Sequence, residues 1–271
     1  MCIQKGSSCA EVVFCQKLLS SIVEKKQWSY SKMGVDMTAA FDNIMRNAII
    51  NLLWDCGCTE DEVRIVKSLI SQTKLKVKLK STTSKAFEVT LGSFQGDCLS
   101  AKLFTLYLAG ALNHVRAVSS LPNPPIQTNS MPSESQYADD CEFFNENEAF
   151  LKEQLFPKIK ETFQQWNLRI NESKTEYTLV EISKNKDQRG KESWRELKVL
   201  GSKLGSNEDI RHKINMGCIT FKYKGIWNEK KHLDKKTKIR LYEALVVPIM
   251  IYNSCTYYYS FMQLLKKILI N

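Results

Sequence analysis

At 271 residues, with 43% hydrophobic and 25% charged side chains, the chain has a globular composition and can bury a sizeable core, which excludes a mainly disordered or low-complexity polypeptide. Its net charge of +10 favours a polyanionic partner, and the imbalance is local: residues 203–271 hold 13 Lys and Arg against 5 Asp and Glu. Nine scattered cysteines without a leader-like start exclude a secreted disulfide scaffold and predict an intracellular protein, nuclear or cytoplasmic, while the most apolar run, residues 245–252, is too short to span a bilayer.

Val12, Val13, Leu18, Leu19, Ile22 and Val23 recur at helical spacing and predict a helix over residues 12–24. Gly34-Val35-Asp36-Met37 is short and extended in character, and Ile44, Ala48, Leu52 and Leu53 then share one face of a helix ended by Gly57. Thr59-Glu60-Asp61-Glu62 has capping-box form, with Val63, Val66, Leu69 and Ile70 as the stripe of the helix behind it. From Lys74 to Lys80, lysines alternate with Leu75, Val77 and Leu79, the period of a strand with one buried and one basic face. Such a face suits phosphate contact or, equally, protection of a sheet edge.

A helix starting behind Ser100 turns Leu103, Phe104, Leu108, Ala111, Leu112 and Val115 inward. Residues 119–136 and 183–193 read as surface loops. Leu151, Leu155, Ile159 and Phe163 repeat every fourth residue, and Pro157 is predicted to kink or divide that helix. The cysteines lack zinc-ligand spacing and read as small core residues. This alternation of elements points to a mixed helix-and-sheet domain.

Asp139 and Asp140 follow an aromatic residue and precede Phe143 and Phe144, which fits a tight strand-turn-strand. Adjacent carboxylates repel unless cations or donors offset them, so the pair is a candidate metal site. Taken alone, it fits a solvated loop as well.

Five blocks in order decide between these. Val35-Asp36-Met37-Thr38-Ala39-Ala40-Phe41-Asp42, Gly92-Ser93-Phe94-Gln95-Gly96-Asp97-Cys98-Leu99-Ser100 and Tyr137-Ala138-Asp139-Asp140 resemble motifs A, B and C of reverse transcriptases. Asn171-Glu172-Ser173-Lys174-Thr175-Glu176 resembles motif D and Leu197-Lys198-Val199-Leu200-Gly201 motif E, and the phrasing is most similar to the non-LTR retrotransposon group. The resemblance implies an α+β fold, the right-hand polymerase. Residues 1–205 would be a palm of antiparallel sheet packed on helices with partial fingers, N-terminally truncated relative to the family, and residues 206–271 a basic helical thumb.

The resemblance further implies RNA-directed DNA polymerase activity by two-metal nucleotidyl transfer. Its cofactor would be two Mg2+ ions, with Mn2+ as the substitute, and its partners an RNA template, a DNA primer and deoxynucleoside triphosphates; no membrane partner and no oligomeric state is implied. Asp36, Asp139 and Asp140 would hold the metals, and Lys174 would donate a proton to the leaving pyrophosphate. Phe41 would exclude a ribose 2′-hydroxyl, with Gln95, Gly96 and Tyr137 lining the nucleotide site. Leu200 and Gly201 would steady the primer, and Lys222, Lys224, Lys230 and Lys231 would track the duplex backbone. The alternative is an inactive relic that keeps only nucleic-acid binding.

Overall fold

In chain order the elements are α1 (Cys9–Lys26), β1 (Tyr30–Val35), β2 (Met37–Thr38), α2 (Arg46–Asp55), α3 (Glu60–Ile70), β3 (Thr73–Leu75), β4 (Lys78–Leu79), β5 (Thr82–Thr83) and β6 (Phe87–Val89). They continue as α4 (Ser100–Ser119), β7 (Glu134–Tyr137), β8 (Asp140–Asn145), α5 (Phe156–Gln165), β9 (Arg169–Ile170) and β10 (Glu176–Val180). The last are β11 (Lys198–Val199), β12 (Ser202–Lys203), α6 (Ser206–Tyr223), α7 (Lys235–Leu245) and α8 (Val247–Ile251). The structure, a computed structural model, describes residues 8–26, 30–71, 73–93, 96–119, 132–180, 194–223 and 234–257. They fall into two compact units, one within Tyr30–Leu179 and one formed by Ser7–Ser29 together with Val180–Asn271.

The first unit is built on a four-stranded sheet of order β10-β1-β8-β7. β1 and β8 run antiparallel, with Met33 opposite Phe143 and Val35 opposite Cys141. Strand side chains alternate between faces, so these four share one face. All four belong to a core completed by Leu103, Phe104, Tyr107, Leu108, Ala111, Leu112 and Val115 of α4 and Ile159 and Phe163 of α5. Burying each such side chain stabilises the unit by about 1.5–3 kcal/mol, and that drives α4 and α5 onto the sheet. The opposite face of the same strands carries the tilted Tyr30–Phe144 ring pair, 6.1 Å between centroids, and the Lys32–Glu142 ion pair. A buried lysine is tolerated there because a carboxylate partner reaches it.

Local signals hold where they are local. Thr59 caps α3, with Glu62 N–H donating to its hydroxyl at 3.4 Å and the Glu62 carboxylate accepting from Thr59 N–H at 2.8 Å. Pro157 marks a change of pitch in its helix without breaking it: a π-helical turn over Phe150–Leu155 runs directly into α5, with the proline in the first turn of α5 and helical backbone at both Leu155 and Phe156.

Two expectations are corrected. The strand over residues 74–80 is two short pieces, β3 paired with β6 and β4 with β5, and its apolar face is not buried. Leu75, Val77 and Leu79 are 37%, 59% and 74% exposed, because each pairing is a two-stranded ribbon that leaves these side chains uncovered. Of the described cysteines only Cys141 is buried; Cys15, Cys56, Cys98, Cys218 and Cys255 are exposed, since they fall on outward helix positions and turns.

In the second unit β11 and β12 form a hairpin, Lys198 opposite Lys203 and Val199 opposite Ser202. Val13 of α1 packs with Val199 and Leu204 to give a small core. No helix among the described residues is long and apolar enough to cross a membrane.

Candidate active site

β1 ends at Val35, whose partner is Cys141, so the next residues on each strand, Asp36 and Asp140, meet at one edge of the sheet. β7 and β8 are joined by Ala138 and Asp139 alone, closed by the Tyr137–Asp140 pair. A two-residue hairpin turn needs left-handed backbone. Ala138 supplies it at φ 52, which costs a residue with a Cβ about 1–2 kcal/mol. This strained turn presents Asp139 to solvent beside Asp140.

Asp140 senses the other two carboxylates. Partial desolvation raises the Asp140 carboxyl above its usual range, the charges of Asp139, Glu142 and Asp36 raise it further, and Lys32 alone pulls it down. Lys174 is brought in by backbone. Asn171 N–H donates to the Asp36 carbonyl at 2.9 Å, and the Lys174 and Thr175 N–H groups return to the Asn171 carbonyl at 3.1 Å. The turn Glu172–Lys174 therefore hangs from Asp36, with Lys174 Nζ 3.6 Å from Asp36 Oδ2. The lysine side chain is 68% exposed, so the pair is weak, of order 0–1 kcal/mol, and the ammonium is free to swing.

Phe41 stands in a short turn, Ala40–Asn43, that follows Ala39 at φ 48. The Asn43 side-chain amide holds this turn by donating to the Thr38 and Ala39 carbonyls at 3.1 and 3.0 Å. The Phe41 ring stacks on Phe104, 4.2 Å between centroids and 23° between planes, which fixes its direction. The segment leading to Gly96 is laced to the same turn: Ser93 N–H donates to the Phe41 carbonyl at 3.0 Å, and Gly92 N–H to the Ile44 carbonyl at 2.8 Å. Gly92 has φ 77, and a Cβ there would lie 2.8 Å from the Asp42 carbonyl oxygen, so only glycine fits. Gly96 is exposed at φ 96, with open space where a Cβ would stand. Tyr137 is half-buried on β7, and Gln95 lies outside the described residues.

Sequence reasoning missed Arg46. This first residue of α2 donates to the carbonyls of Gly92 (2.9 Å), Ile70 (2.6 Å), Val89 (2.7 Å) and Leu91 (3.2 Å), and to Thr73 Oγ1 (3.2 Å). A cation is disfavoured at the positive end of a helix dipole. Arginine at a helix start was the available signal.

In the second unit Leu200 (φ 46) and Gly201 (φ 75) form the turn between β11 and β12. The Tyr252 hydroxyl donates to the Leu200 carbonyl at 3.1 Å. Asp209, fully buried, accepts from Lys203 N–H at 2.9 Å, Lys17 Nζ at 3.0 Å and Lys213 Nζ at 2.9 Å. Lys213 also donates to Ser202 Oγ at 3.1 Å, so the hairpin is braced by a buried ionic cluster that the sequence reading did not anticipate. Lys222 is exposed near the end of α6; Lys224, Lys230 and Lys231 lie outside the described residues.

Among the described residues no three His, Cys, Asp or Glu side chains close on one point as a ready-made cage. The donor set still suits a hard cation: Asp36, Asp139 and Asp140 offer only carboxylate oxygens from facing strand ends, and Asp140 is raised by desolvation and, after it, by repulsion from the other two. A divalent ion would remove that repulsion.

The model of the family "Reverse transcriptase (RNA-dependent DNA polymerase)" matches residues 1–204. The chain belongs to the reverse transcriptase family. As a family, reverse transcriptases work with divalent metal ions, in keeping with the carboxylate set of this one. A curated relative, the retrovirus-related Pol polyprotein from type-1 retrotransposable element R2 of Bradysia coprophila, is 26% identical over 141 residues, covering 52% of this reverse transcriptase and 16% of the polyprotein. The expected kinship with non-LTR retrotransposon enzymes is thereby borne out. Telomerase from Candida tropicalis, solved with a TWJ fragment of telomeric RNA, aligns over 93% of this reverse transcriptase and 44% of its own chain, with TM-score 0.53 and 15% identity. That likeness bears out the right-hand polymerase fold of mixed helices and antiparallel sheet. The reverse transcriptase thus spans 16% of the polyprotein and 44% of the telomerase chain.

Proposed function

We propose that this chain performs RNA-templated DNA synthesis, with its chemistry at Asp36, Asp139 and Asp140. The observation that carries the reading is the meeting of these three carboxylates at one end of the β1–β8–β7 sheet, with Lys174 hung from Asp36.

Asp36 and Asp139 would hold divalent ions, Mg2+ in the first place, with Asp140 as the supporting acid. Such ions supply charge stabilisation for the attacking 3′-oxygen and the departing pyrophosphate. The chain's own residues do the rest. The Lys174 ammonium, loosely paired with Asp36, swings to the leaving phosphate and delivers a proton as the bridging P–O bond breaks. Phe41, pinned on Phe104, blocks the space of a ribose 2′-hydroxyl and favours deoxynucleotides. Gly96 lets the backbone approach the nascent pair, with Gln95 and Tyr137 completing the nucleotide site. Tyr30–Leu179 carries this palm function; the Leu200–Gly201 turn steadies the primer, and Lys222, Lys235, Lys236 and Arg240 on the thumb helices contact backbone phosphates. The substrates are an RNA template, a DNA primer and deoxynucleoside triphosphates.

The test is extension of a DNA primer on an RNA template with Mg2+, comparing the full chain with Asp139→Asn. Loss of extension by roughly 100–1,000-fold is expected, the scale of removing one preorganised charge partner. Extension that survives the substitution, or its absence in the unaltered chain, overturns the reading; salt-sensitive binding alone would then identify a nucleic-acid-binding relic.

A further inference from the structure

Two segments with separate roles in nucleotide selection meet around a single guanidinium. The first is the turn that aims Phe41, which continues through Ile44 and Met45 into α2. The second is the strand exit from Val89 to Ser93, which leads to Gly96. Main-chain bonds join them at Ser93 N–H to Phe41 carbonyl, at Gly92 N–H to Ile44 carbonyl, and through a bridge between Met45 and Leu91. Every one of these lies on the run whose carbonyls Arg46 gathers: Val89, Leu91 and Gly92, together with Ile70 at the end of α3. The carbonyls of Val89, Leu91 and Gly92 therefore go to Arg46, while the amides of Gly92 and Ser93 go to the Ile44 and Phe41 carbonyls.

We infer that Arg46 is a positioning residue for sugar selection: it holds the run from Val89 to Ser93 at a fixed distance from Phe41, so that an incoming nucleotide meets the aromatic ring and this run in one rigid frame. Arg46 touches no reacting atom. Its planar fork of donors suits the task, because four carbonyls from two separate segments, the end of α3 and the run from Val89 to Gly92, converge on it and an ammonium cannot serve them in that geometry. Burial also holds the guanidinium below its usual proton affinity, though it stays charged throughout the accessible pH range. Phe41 has a rigid support of its own in Phe104, so loosening Arg46 releases the run from Val89 to Ser93 more than the ring.

The inference rests on the polymerase reading for its consequence but not for its geometry, and two measurements on the full chain separate them. The first is amide hydrogen exchange without nucleic acid. In Arg46→Gln the Gly92 and Ser93 amides, which cross between the segments, exchange about tenfold faster, while the Phe143 amide in β8 is unchanged. Equal protection in the variant and the parent overturns the inference, whether or not the chain polymerises.

The second is the ratio of deoxynucleotide to ribonucleotide incorporation efficiency. Arg46→Gln lowers it about fivefold, and Arg46→Lys recovers only part of the loss. In a Phe41→Ala background, where the ring no longer discriminates, Arg46→Gln changes the ratio by less than about twofold, since the two act as one unit. A merely structural arginine would lower both efficiencies together and leave the ratio intact. That result, or full additivity with Phe41→Ala, overturns the selection role. If the parent shows no Asp139-dependent extension, the polymerase reading and the selection role fail together, and the exchange result stands for the clamp alone.

Discussion

Replacing Asp209 by Asn tests the buried cluster that braces the Leu200–Gly201 hairpin. The amide keeps the shape of the carboxylate but removes the one charge that Lys17 and Lys213 share, and all three side chains are almost fully enclosed, at 0%, 6% and 5% exposure. Removing one partner of a buried ion pair costs about 3–5 kcal/mol, because the remaining charge stays desolvated without compensation. The Asn oxygen can still accept from Lys203 N–H, so the lower end, about 3 kcal/mol, is expected here. For a unit of this size that corresponds to a melting temperature lower by roughly 10 °C.

The deficit also has a pH signature. Burial already holds Lys17 below its usual 10.5 against the pull of Asp209, and without that pull its folded-state value falls further. A group whose folded pKa is depressed disfavours the folded state while protonated, so the deficit is largest at low pH and shrinks as pH rises towards 10.5. Calorimetry between about pH 6 and 10 measures both effects, and exchange of the Lys203 amide localises them. A loss under about 1 kcal/mol, or one that does not vary with pH, would show that Asp209 is not the counter-charge of the cluster.

Two further outcomes follow from the site. Asp140→Asn raises the melting temperature near neutral pH although it weakens extension: a carboxyl with a raised folded pKa stabilises below its unfolded value and loses that contribution as pH rises through the folded one, so the gain vanishes below about pH 4. A lower melting temperature at neutral pH would refute the desolvated setting of Asp140 beside Asp139 and Asp36. Gly92→Ala places a Cβ 2.8 Å from the Asp42 carbonyl oxygen at φ 77 and is expected to destabilise by at least about 1–2 kcal/mol in urea denaturation. A change below about 0.5 kcal/mol would mean that the two segments are not held at this distance.

Much of the site could be read before any coordinates, because the informative blocks are short and local. A capping box is complete within Thr59 to Glu62 and forms as those residues alone require, and a two-residue hairpin turn is complete within Tyr137 to Asp140, though Ala138 is strained in it. Helix α4 was legible for the same reason, since a 3.6-residue period states which face is apolar and α4 buries that face; in α3 only Val63 of the predicted stripe is buried, and Leu69 is exposed. Family membership rode on the same property, since five ordered blocks identify a family without any knowledge of how they meet.

What no local pattern contains is which distant groups share a boundary. Asp36 meets Asp140 only through the register of β1 on β8, and Asp209 finds Lys17 192 positions away in the chain. The alternating lysines of residues 74–80 look like a half-buried strand, but burial depends on what packs against a strand, and two-stranded ribbons gave Leu79 nothing to pack on. Arg46 shows in the sequence only as an arginine at a helix start; four carbonyls from two separate segments make it a clamp. Backbone conformation and periodicity are short-range consequences of side-chain chemistry, whereas charge compensation and the convergence of donors on acceptors are decided by the tertiary fold, which brings distant groups within a hydrogen bond of one another.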